Sequence, residues 1–257
     1  ITDADGTRSD IGAYPYLNNH SGPTWYVKSF GSWCVFGDDN YNDVDLVSLC
    51  NGANETPFNS IQAALNFASS GDQIFVAGGS TLYENIIWRD VDGIELKGDV
   101  EYFEGEVIID GGDNGPVITI GGQDATITGF TITGGNFDTE INVPSNLGGG
   151  INVMQGSNLT LSNLHVTGNT GNTGGGFYID INSTINLSNS LIDYNTAQTA
   201  GGGLYVEGFA VLDSVDISYN EGINSGAIHY YYGKGEIRNS KISHNQGTYN
   251  SPGLNLV

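Results

Sequence analysis

Six residues in the second half of the chain place aromatic rings and carboxylates at a repeated spacing. They form three pairs, each pair spanning two positions: Tyr178 with Asp180, Tyr205 with Glu207, and His229 with Tyr231. The apolar faces of sugar rings stack on aromatic rings, and carboxylates accept hydrogen bonds from sugar hydroxyls. The pattern therefore predicts a glycan-binding surface made by Tyr178, Tyr205, His229 and Tyr231.

The two acidic residues of this set also suggest catalysis. If their strands are neighbours, Asp180 and Glu207 lie about 5 Å apart. That distance matches the two carboxylates of a retaining glycosidase. It equally suits a calcium site or two solvated acids with shifted pKa values. Aromatic ladders also stabilise sheet surfaces without any ligand, so the sequence leaves these alternatives open.

A short repeat positions these residues. A glycine-rich triplet precedes an apolar residue five times, at steps of 26, 27, 24 and 26: Ile151, Phe177, Leu204, Ile228 and Leu254. An asparagine follows the same period, with steps of 26, 25 and 25: Asn169, Asn195, Asn220 and Asn245. A fixed period of this size indicates stacked repeats, and alternating apolar residues within it indicate strands.

The repeat predicts an all-β fold, a parallel β-helix with one coil per period. The apolar residues should stack into an interior column, and regular coils should begin at about residue 107. The asparagines should occupy turns, where Asn tolerates left-handed dihedral angles, and their amides should bond the same amide in the next coil. A structural role for these asparagines is therefore favoured over a catalytic one.

Composition restricts the partners. The 257 residues include 39 Gly, and 7 Lys and Arg against 29 Asp and Glu, which gives a formal charge of −22. This balance argues against nucleic acid, which needs a basic surface, and against anionic membranes. No apolar run approaches the roughly 20 residues of a membrane span, so no membrane insertion is expected. An acidic surface suits an extracellular protein.

The N-terminal part carries two further candidate features. Asp3, Asp5 and Asp10 surround a glycine in a pattern that predicts either a calcium loop or an Asx-turn. Cys34 and Cys50 bound an irregular insertion, residues 34–50, and a disulfide between them would imply an oxidising compartment. Calcium is the one cofactor that the sequence suggests.

One helix is expected before the coils. Residues 58–70 carry apolar positions at helical spacing after a polar N-cap and before Gly71. A helix at this place would cover the open apolar end of the first coil. Polar residues and Pro23 indicate a linker, so the chain divides into a tail, residues 1–24, and a β-helix domain, residues 25–257, that includes this helix.

A family resemblance covers most of this domain. Trp25-Tyr26-Val27, Pro57-Phe58, Gly71-Asp72 and Tyr83-Glu84-Asn85-Ile86 resemble the opening region of secreted right-handed parallel β-helix proteins of the pectin-lyase-like group. The resemblance implies a right-handed β-helix and an extracellular or cell-surface location. It does not specify a function, because this group includes lyases, hydrolases, adhesins and surface proteins.

The tail has a resemblance of its own. Residues 3–14 are similar to a segment that usually closes such a β-helix, although here they stand at the front. The sequence also ends within a coil, at Leu254-Asn255-Leu256-Val257. These two features predict self-association, in which the tail of one copy completes the uncapped last coil of another.

The leading hypothesis is thus an extracellular structural module, a β-helix unit of a tandem or head-to-tail assembled surface protein or filament that contacts glycans. One alternative is a polysaccharide lyase or glycoside hydrolase with a groove along Tyr178, Asp180, Tyr205 and Glu207. The other is a calcium-dependent carbohydrate-binding adhesin.

Overall fold

The computed structural model describes residues 20–29, 52–54, 56–89, 91–99, 105–136, 148–249 and 251–256. Nearly all of its regular structure is β. In the first half, the strands are β1 (Thr24–Val27), β2 (Gln73–Ala77), β3 (Thr81–Tyr83), β4 (Ile86–Trp88), β5 (Ile94–Asp99), β6 (Ile108–Asp110), β7 (Ile118–Gly121), β8 (Asp124–Thr128) and β9 (Thr131–Thr133). A helix, α1 (Ile61–Phe67), lies between β1 and β2.

The second half contains strands alone among its described elements. They are β10 (Ile151–Met154), β11 (Asn158–Ser162), β12 (His165–Thr167), β13 (Thr170–Thr173), β14 (Phe177–Ile179), β15 (Thr184–Asp193), β16 (Thr196–Ala200), β17 (Leu204–Val206), β18 (Phe209–Ser218), β19 (Glu221–Gly222), β20 (Ile228–Tyr230), β21 (Lys234–Arg238), β22 (Lys241–Ser243), β23 (Gln246–Gly247) and β24 (Leu254–Leu256).

These strands wind into a parallel β-helix with three sheets. The largest has 13 strands, the second runs β24-β20-β17-β14-β10-β7-β4, and the third is β13-β16-β19-β23. Each named strand pairs in parallel with its counterpart one coil away, as β14 does with β10 and β17. Parallel pairing already begins with β1 and β2, so the regular array starts well before residue 107.

The largest sheet is bent along its length. In one coil the bend separates β11 from β12, whereas β15 and β18 continue through it as strands of ten residues. The residues at the bend share a left-handed backbone, with φ between 47° and 60°: Asn163, Asn189, Ser214 and Asn239. Asn and Ser are short polar residues, and Asn in particular tolerates this region, which explains their recurrence here.

The interior column that the repeat predicts is present. Ile151 pairs with Phe177, Phe177 with Leu204, and Leu204 with Ile228. All four are fully buried, and Leu254 continues the column at 40% exposure. Burial of a large aliphatic or aromatic side chain contributes about 1.5–3 kcal/mol. Stacking of equivalent apolar residues therefore fixes the register of the coils.

The asparagine ladder is also present, but the prediction that the asparagines themselves have left-handed dihedral angles is wrong. Asn169 Nδ2 donates to Asn195 Oδ1, Asn195 Nδ2 to Asn220 Oδ1, and Asn220 Nδ2 to Asn245 Oδ1, each at 3.0 Å. The left-handed residue is the one before each asparagine, and the set has φ between 52° and 66°: Gly168, Tyr194, Tyr219 and His244. The amide network, and not a left-handed backbone of their own, therefore accounts for the recurrence of these asparagines.

The glycine triplets form a corner where the second and third sheets approach each other. A Cβ atom added at Gly202 would collide with the carbonyl oxygens of Glu221 and Gly226. The third sheet is correspondingly lined by small paired residues, with Gly171 beside Ala197 and Ala197 beside Gly222. Glycine is therefore required here by space, at a position where backbone meets backbone.

The predicted capping helix exists but is shorter than expected. It spans Ile61–Phe67 instead of residues 58–70, because Ala68 adopts an extended conformation. Its side chains Ile61, Ala64 and Leu65 are buried in the common core. Glu84 fixes its N-terminus by accepting hydrogen bonds from the Ile61 N–H (2.8 Å) and the Gln62 N–H (3.0 Å). A carboxylate at this end also complements the helix dipole.

Candidate functional site

The strands of the second sheet bring the predicted aromatic residues together. Tyr178 pairs with Tyr205, and Tyr205 with His229, in consecutive coils. The ring centroids of Tyr178 and Tyr205 lie 5.7 Å apart, and those of Tyr205 and His229 lie 5.2 Å apart. Tyr231, just after β20, stacks beside Tyr205 at 6.1 Å. The four side chains that the sequence singled out thus form one stack.

The stack is much less accessible than a glycan platform requires. Tyr178 is 4% exposed and His229 is 6% exposed, so the expectation that both lie open on the outer surface is wrong. The rings also face each other, with interplanar angles of 13° and 11°, so the faces of Tyr205 are occupied by its neighbours. Tyr231, at 39% exposure, is the most accessible of the four. Strand alternation alone places Tyr178 and His229 on the outer face, but neighbouring coils cover both side chains.

The two candidate catalytic carboxylates are engaged in local contacts. Asp180 caps a turn, with its oxygens accepting from the Ile181 N–H (2.7 Å) and the Gln155 N–H (3.2 Å). Glu207 accepts a hydrogen bond from the Tyr178 hydroxyl at 3.3 Å. The residues before them, Ile179 and Val206, are paired, so both acids lie at the same edge of the sheet in adjacent coils.

Burial dominates the electrostatics of this site. It raises the pKa of Glu207; the hydrogen bond from the Tyr178 hydroxyl opposes this rise, and the charge of Asp180 adds a smaller one. Burial and then the Glu207 charge raise the pKa of Tyr178, and the same causes raise the pKa of Tyr205 to about 12. Both phenols are therefore neutral in ordinary buffers, and they act as hydrogen-bonding and stacking groups.

His229 is held at the end of the stack. Asn255 Nδ2 lies 3.1 Å from His229 Nδ1, where a neutral imidazole accepts its hydrogen bond. Burial lowers the pKa of His229, because the charged form would lose its hydration. The side chain thus links β20 to β24 of the last described coil, with Asn255 paired to His229.

Several candidate residues lie outside the described part of the chain. They are the calcium-loop residues Asp3, Asp5 and Asp10 and the disulfide residues Cys34 and Cys50. The calcium loop and the disulfide stay predictions from the sequence. Among the described residues, no group of three or more His, Cys, Asp and Glu side chains could hold a metal ion. None of the helices in this part is long and apolar enough to cross a membrane.

Sequence reasoning missed a second aromatic ladder. Tyr194 stacks on Tyr219 with centroids 5.2 Å apart, and Tyr219 stacks on His244 at 4.9 Å. Tyr194 and Tyr219 are 60% and 49% exposed. The sequence did contain a pattern that predicts this second ladder, since Tyr194, Tyr219 and His244 each directly precede a residue of the asparagine ladder.

A groove on the bent sheet was also missed. Its lining includes Glu106, Thr131, His165, Leu191 and Asp216, and its volume is about 500 Å³. His165 Nε2 lies 2.9 Å from Asp193 Oδ1 at its edge. The contributing residues come from different coils and share no common motif, although their positions repeat with the period of the asparagines.

Comparison with known proteins supports the fold. The family model described as "Right handed beta helix region" matches residues 72–246, from the start of β2 into β23. Neither the curated proteins nor the solved structures give a significant match. Because the family model covers most of the chain and the strands wind as a parallel solenoid, the protein belongs to the right-handed β-helix family.

Proposed function

We propose that this chain is an extracellular structural module, a β-helix unit that assembles head to tail with copies of itself. One observation carries the proposal. The interior column is fully buried from Ile151 to Ile228, but its next member, Leu254, is 40% exposed, and Leu256 is 71% exposed. Core-facing residues of the last described coil are therefore open in a way that those of the preceding coils are not.

The edge of this coil supports the same proposal. Within the described chain, β24 pairs with β20 alone, and β21 and β22 pair with β18 alone. An edge with unpaired backbone groups and an apolar interior is a template for another strand. Ile237, at 37% exposure, adds to the apolar surface. Such an edge binds a partner that brings both strand pairing and apolar side chains.

The occupant that we favour is the tail of a second copy, residues 1–19. This segment lies outside the described residues, and its sequence is similar to one that closes β-helices of this kind. At the opposite end of the described solenoid, α1 covers the apolar interior with Ile61, Ala64 and Leu65. A tail-to-coil contact is heterologous, so it would extend into a fibre unless the rotation closes a ring.

Catalysis is not part of this proposal. The carboxylate of Asp180 caps a turn and that of Glu207 bonds the Tyr178 hydroxyl, which is a structural use of both groups. The buried rings of Tyr178 and His229 likewise do not favour a glycan site at the stack.

The test is the assembly state of the purified chain. Light scattering after size exclusion, together with electron microscopy, should reveal end-to-end oligomers that grow with protein concentration. Deletion of residues 1–19 and the substitution Leu256→Lys should each reduce them to monomers. Ile181→Lys, which places the same charge on an exposed turn residue elsewhere, should leave assembly unchanged. Folded monomers of the unmodified chain at high concentration would contradict the proposal.

A further inference from the structure

The backbone of each inner ladder asparagine is bonded to the next coil by the same two contacts. Its N–H donates to the side-chain oxygen of the next asparagine, as from Asn195 to Asn220 (3.0 Å) and from Asn220 to Asn245 (2.9 Å). Its carbonyl accepts from the residue after that asparagine, as Asn220 does from the Gln246 N–H (2.8 Å). Each inner position is thus closed by a side-chain oxygen and by the N–H that directly follows it.

Asn245 has neither of these contacts. Among the described residues, no acceptor lies on its backbone N–H and no donor lies on its carbonyl. Its side chain is occupied, since Oδ1 accepts from Asn220 and Nδ2 donates to the carbonyls of Ile217 (2.8 Å) and Ser243 (3.0 Å). The residue is only partly buried. The last ladder position therefore offers one backbone donor and one backbone acceptor to an incoming segment.

The coil that carries Asn245 has a net positive charge. Residues 228–253 contain the basic side chains Lys234, Arg238 and Lys241 and the single acidic side chain Glu236, whereas the whole chain has a formal charge of −22. Arg238 is paired with Glu236, and Lys241 approaches a carboxylate of the preceding coil. Lys234 is exposed and has no ion pair among the described residues. This end of the solenoid therefore favours an acidic segment over a neutral or basic one.

We propose that Asn245 is the recognition point of the assembly surface and binds an aspartate in the tail, residues 1–19, of a second copy. This inference rests on the proposed head-to-tail assembly. A carboxylate oxygen accepts from the Asn245 N–H, and the N–H after that aspartate donates to the Asn245 carbonyl, as Gln246 does to Asn220. Hydrogen bonds to a charged acceptor are the stronger ones. The tail contains three aspartates and one basic residue: Asp3, Asp5, Asp10 and Arg8.

The first test is amide hydrogen exchange, followed by NMR on the full chain at a concentration where it is monomeric. The probe is a synthetic peptide of residues 1–19 in about 150 mM salt, where long-range attraction is screened. The peptide should slow exchange of the Asn245 N–H about tenfold or more, because this group gains an acceptor. The Asn220 N–H, already bonded to Asn245 Oδ1, is the internal control and should be protected with and without peptide.

Variant peptides test the chemistry of the acceptor. Replacement of all three aspartates by alanine should weaken binding about tenfold or more, since the charge-assisted bond is lost. Replacement of all three by asparagine retains an oxygen at each position and should cost only about threefold. Thr7→Ala with Ser9→Ala removes two other side-chain oxygens and should leave affinity unchanged. Equal losses from the alanine and asparagine peptides would indicate charge attraction alone and would overturn the inference.

Variants of the protein test the role of its charge. Lys234→Gln should weaken binding of the unmodified peptide about threefold, the effect of losing one exposed charge pair. Lys97→Gln makes the same change in an early coil, on β5, and should have no effect. Thermal melts monitored by circular dichroism establish that both variants are folded. An equal effect of the two substitutions would overturn the assignment of the acidic segment to this end.

The outcomes for Asn245 and for assembly can be told apart. End-to-end oligomers in which the Asn245 N–H stays unprotected would overturn recognition at Asn245 and leave assembly standing. A chain that remains monomeric at high concentration, yet binds the peptide with protection at Asn245, would overturn assembly and leave the recognition standing. Absence of peptide binding, or equal binding of the alanine peptide, would overturn the inference.

Discussion

Replacement of Asn195 by alanine should be among the most damaging single changes to the coil stack. The side chain is fully buried and makes four hydrogen bonds. Its Oδ1 accepts from the N–H (3.1 Å) and Nδ2 (3.0 Å) of Asn169. Its Nδ2 donates to Asn220 Oδ1 (3.0 Å) and to the Val166 carbonyl (2.8 Å). Alanine supplies none of these.

The expected cost follows from the groups that lose their partner. Each buried polar group left without a hydrogen bond costs about 1–3 kcal/mol. Asn169 retains other acceptors for Nδ2, at the carbonyls of Ile132 and Thr167, and Asn220 Oδ1 still accepts from the backbone N–H of residue 195, so neither group is orphaned. The two groups that lose this side chain, the Asn169 N–H and the Val166 carbonyl, predict a loss of about 2–6 kcal/mol in the free energy of unfolding. Since domains are typically stable by about 5–15 kcal/mol, this is a large fraction of the total.

Urea unfolding followed by far-ultraviolet circular dichroism measures this loss. Asn186→Ala is the matched control, because Asn186 is exposed on β15 and the change should cost about 0.5 kcal/mol or less. Asn195→Asp adds a pH test: a carboxylate cannot donate to Asn220 Oδ1, whereas a protonated carboxyl can. Its pKa in the folded state should rise, and its stability should recover as the pH falls toward about 4. A loss equal to that of Asn186→Ala would refute the reasoning.

Two other predictions concern His229 and the glycine corner. Because burial lowers the pKa of His229 in the folded state, its contribution is present above about pH 6.5 and is lost as the pH falls toward the folded pKa, at up to about 1.4 kcal/mol per pH unit. His229→Phe retains a stacked ring without the titration, so the difference in stability between it and the unmodified chain should change between pH 7.5 and pH 5. A constant difference would contradict this role. Gly202→Ala should cost about 3 kcal/mol or more by forcing a Cβ against two carbonyl oxygens, and Asn186→Ala again serves as the control in urea unfolding.

The sequence predicted the parts of the fold that follow from periodicity. The positions of Phe177 and Leu204 in one column, and of Asn195 and Asn220 in one ladder, depend only on the repeat and on strand alternation. Both predictions were confirmed, because equivalent residues of successive coils lie next to each other in a solenoid. The capping helix was found from its apolar spacing, although its C-terminal end at Phe67 was not.

The remaining features depend on three-dimensional context. Left-handed backbone falls on Tyr194 and Tyr219 instead of on the asparagines that follow them, and the usual residue preference for this conformation gives no warning of that. The burial of Tyr178 and His229 results from neighbouring coils and turns, which alternation along one strand does not represent. The residues that line the groove share only their position in the coil, so the groove can be recognised from the assembled sheet but not from the sequence.

The asparagine ladder has a consequence for how this gene can vary. Each asparagine of the ladder donates its amide N–H to the asparagine of the next coil and accepts from that of the preceding coil. Any coil that carries this asparagine can therefore pair with any other. Unequal recombination that duplicates or removes one period of about 26 residues between Phe177 and Leu204 would leave every junction chemically equivalent. Lengthening and shortening of the rod are thus among the mildest mutations open to it, whereas a shift by a few residues would scramble the interior and be eliminated.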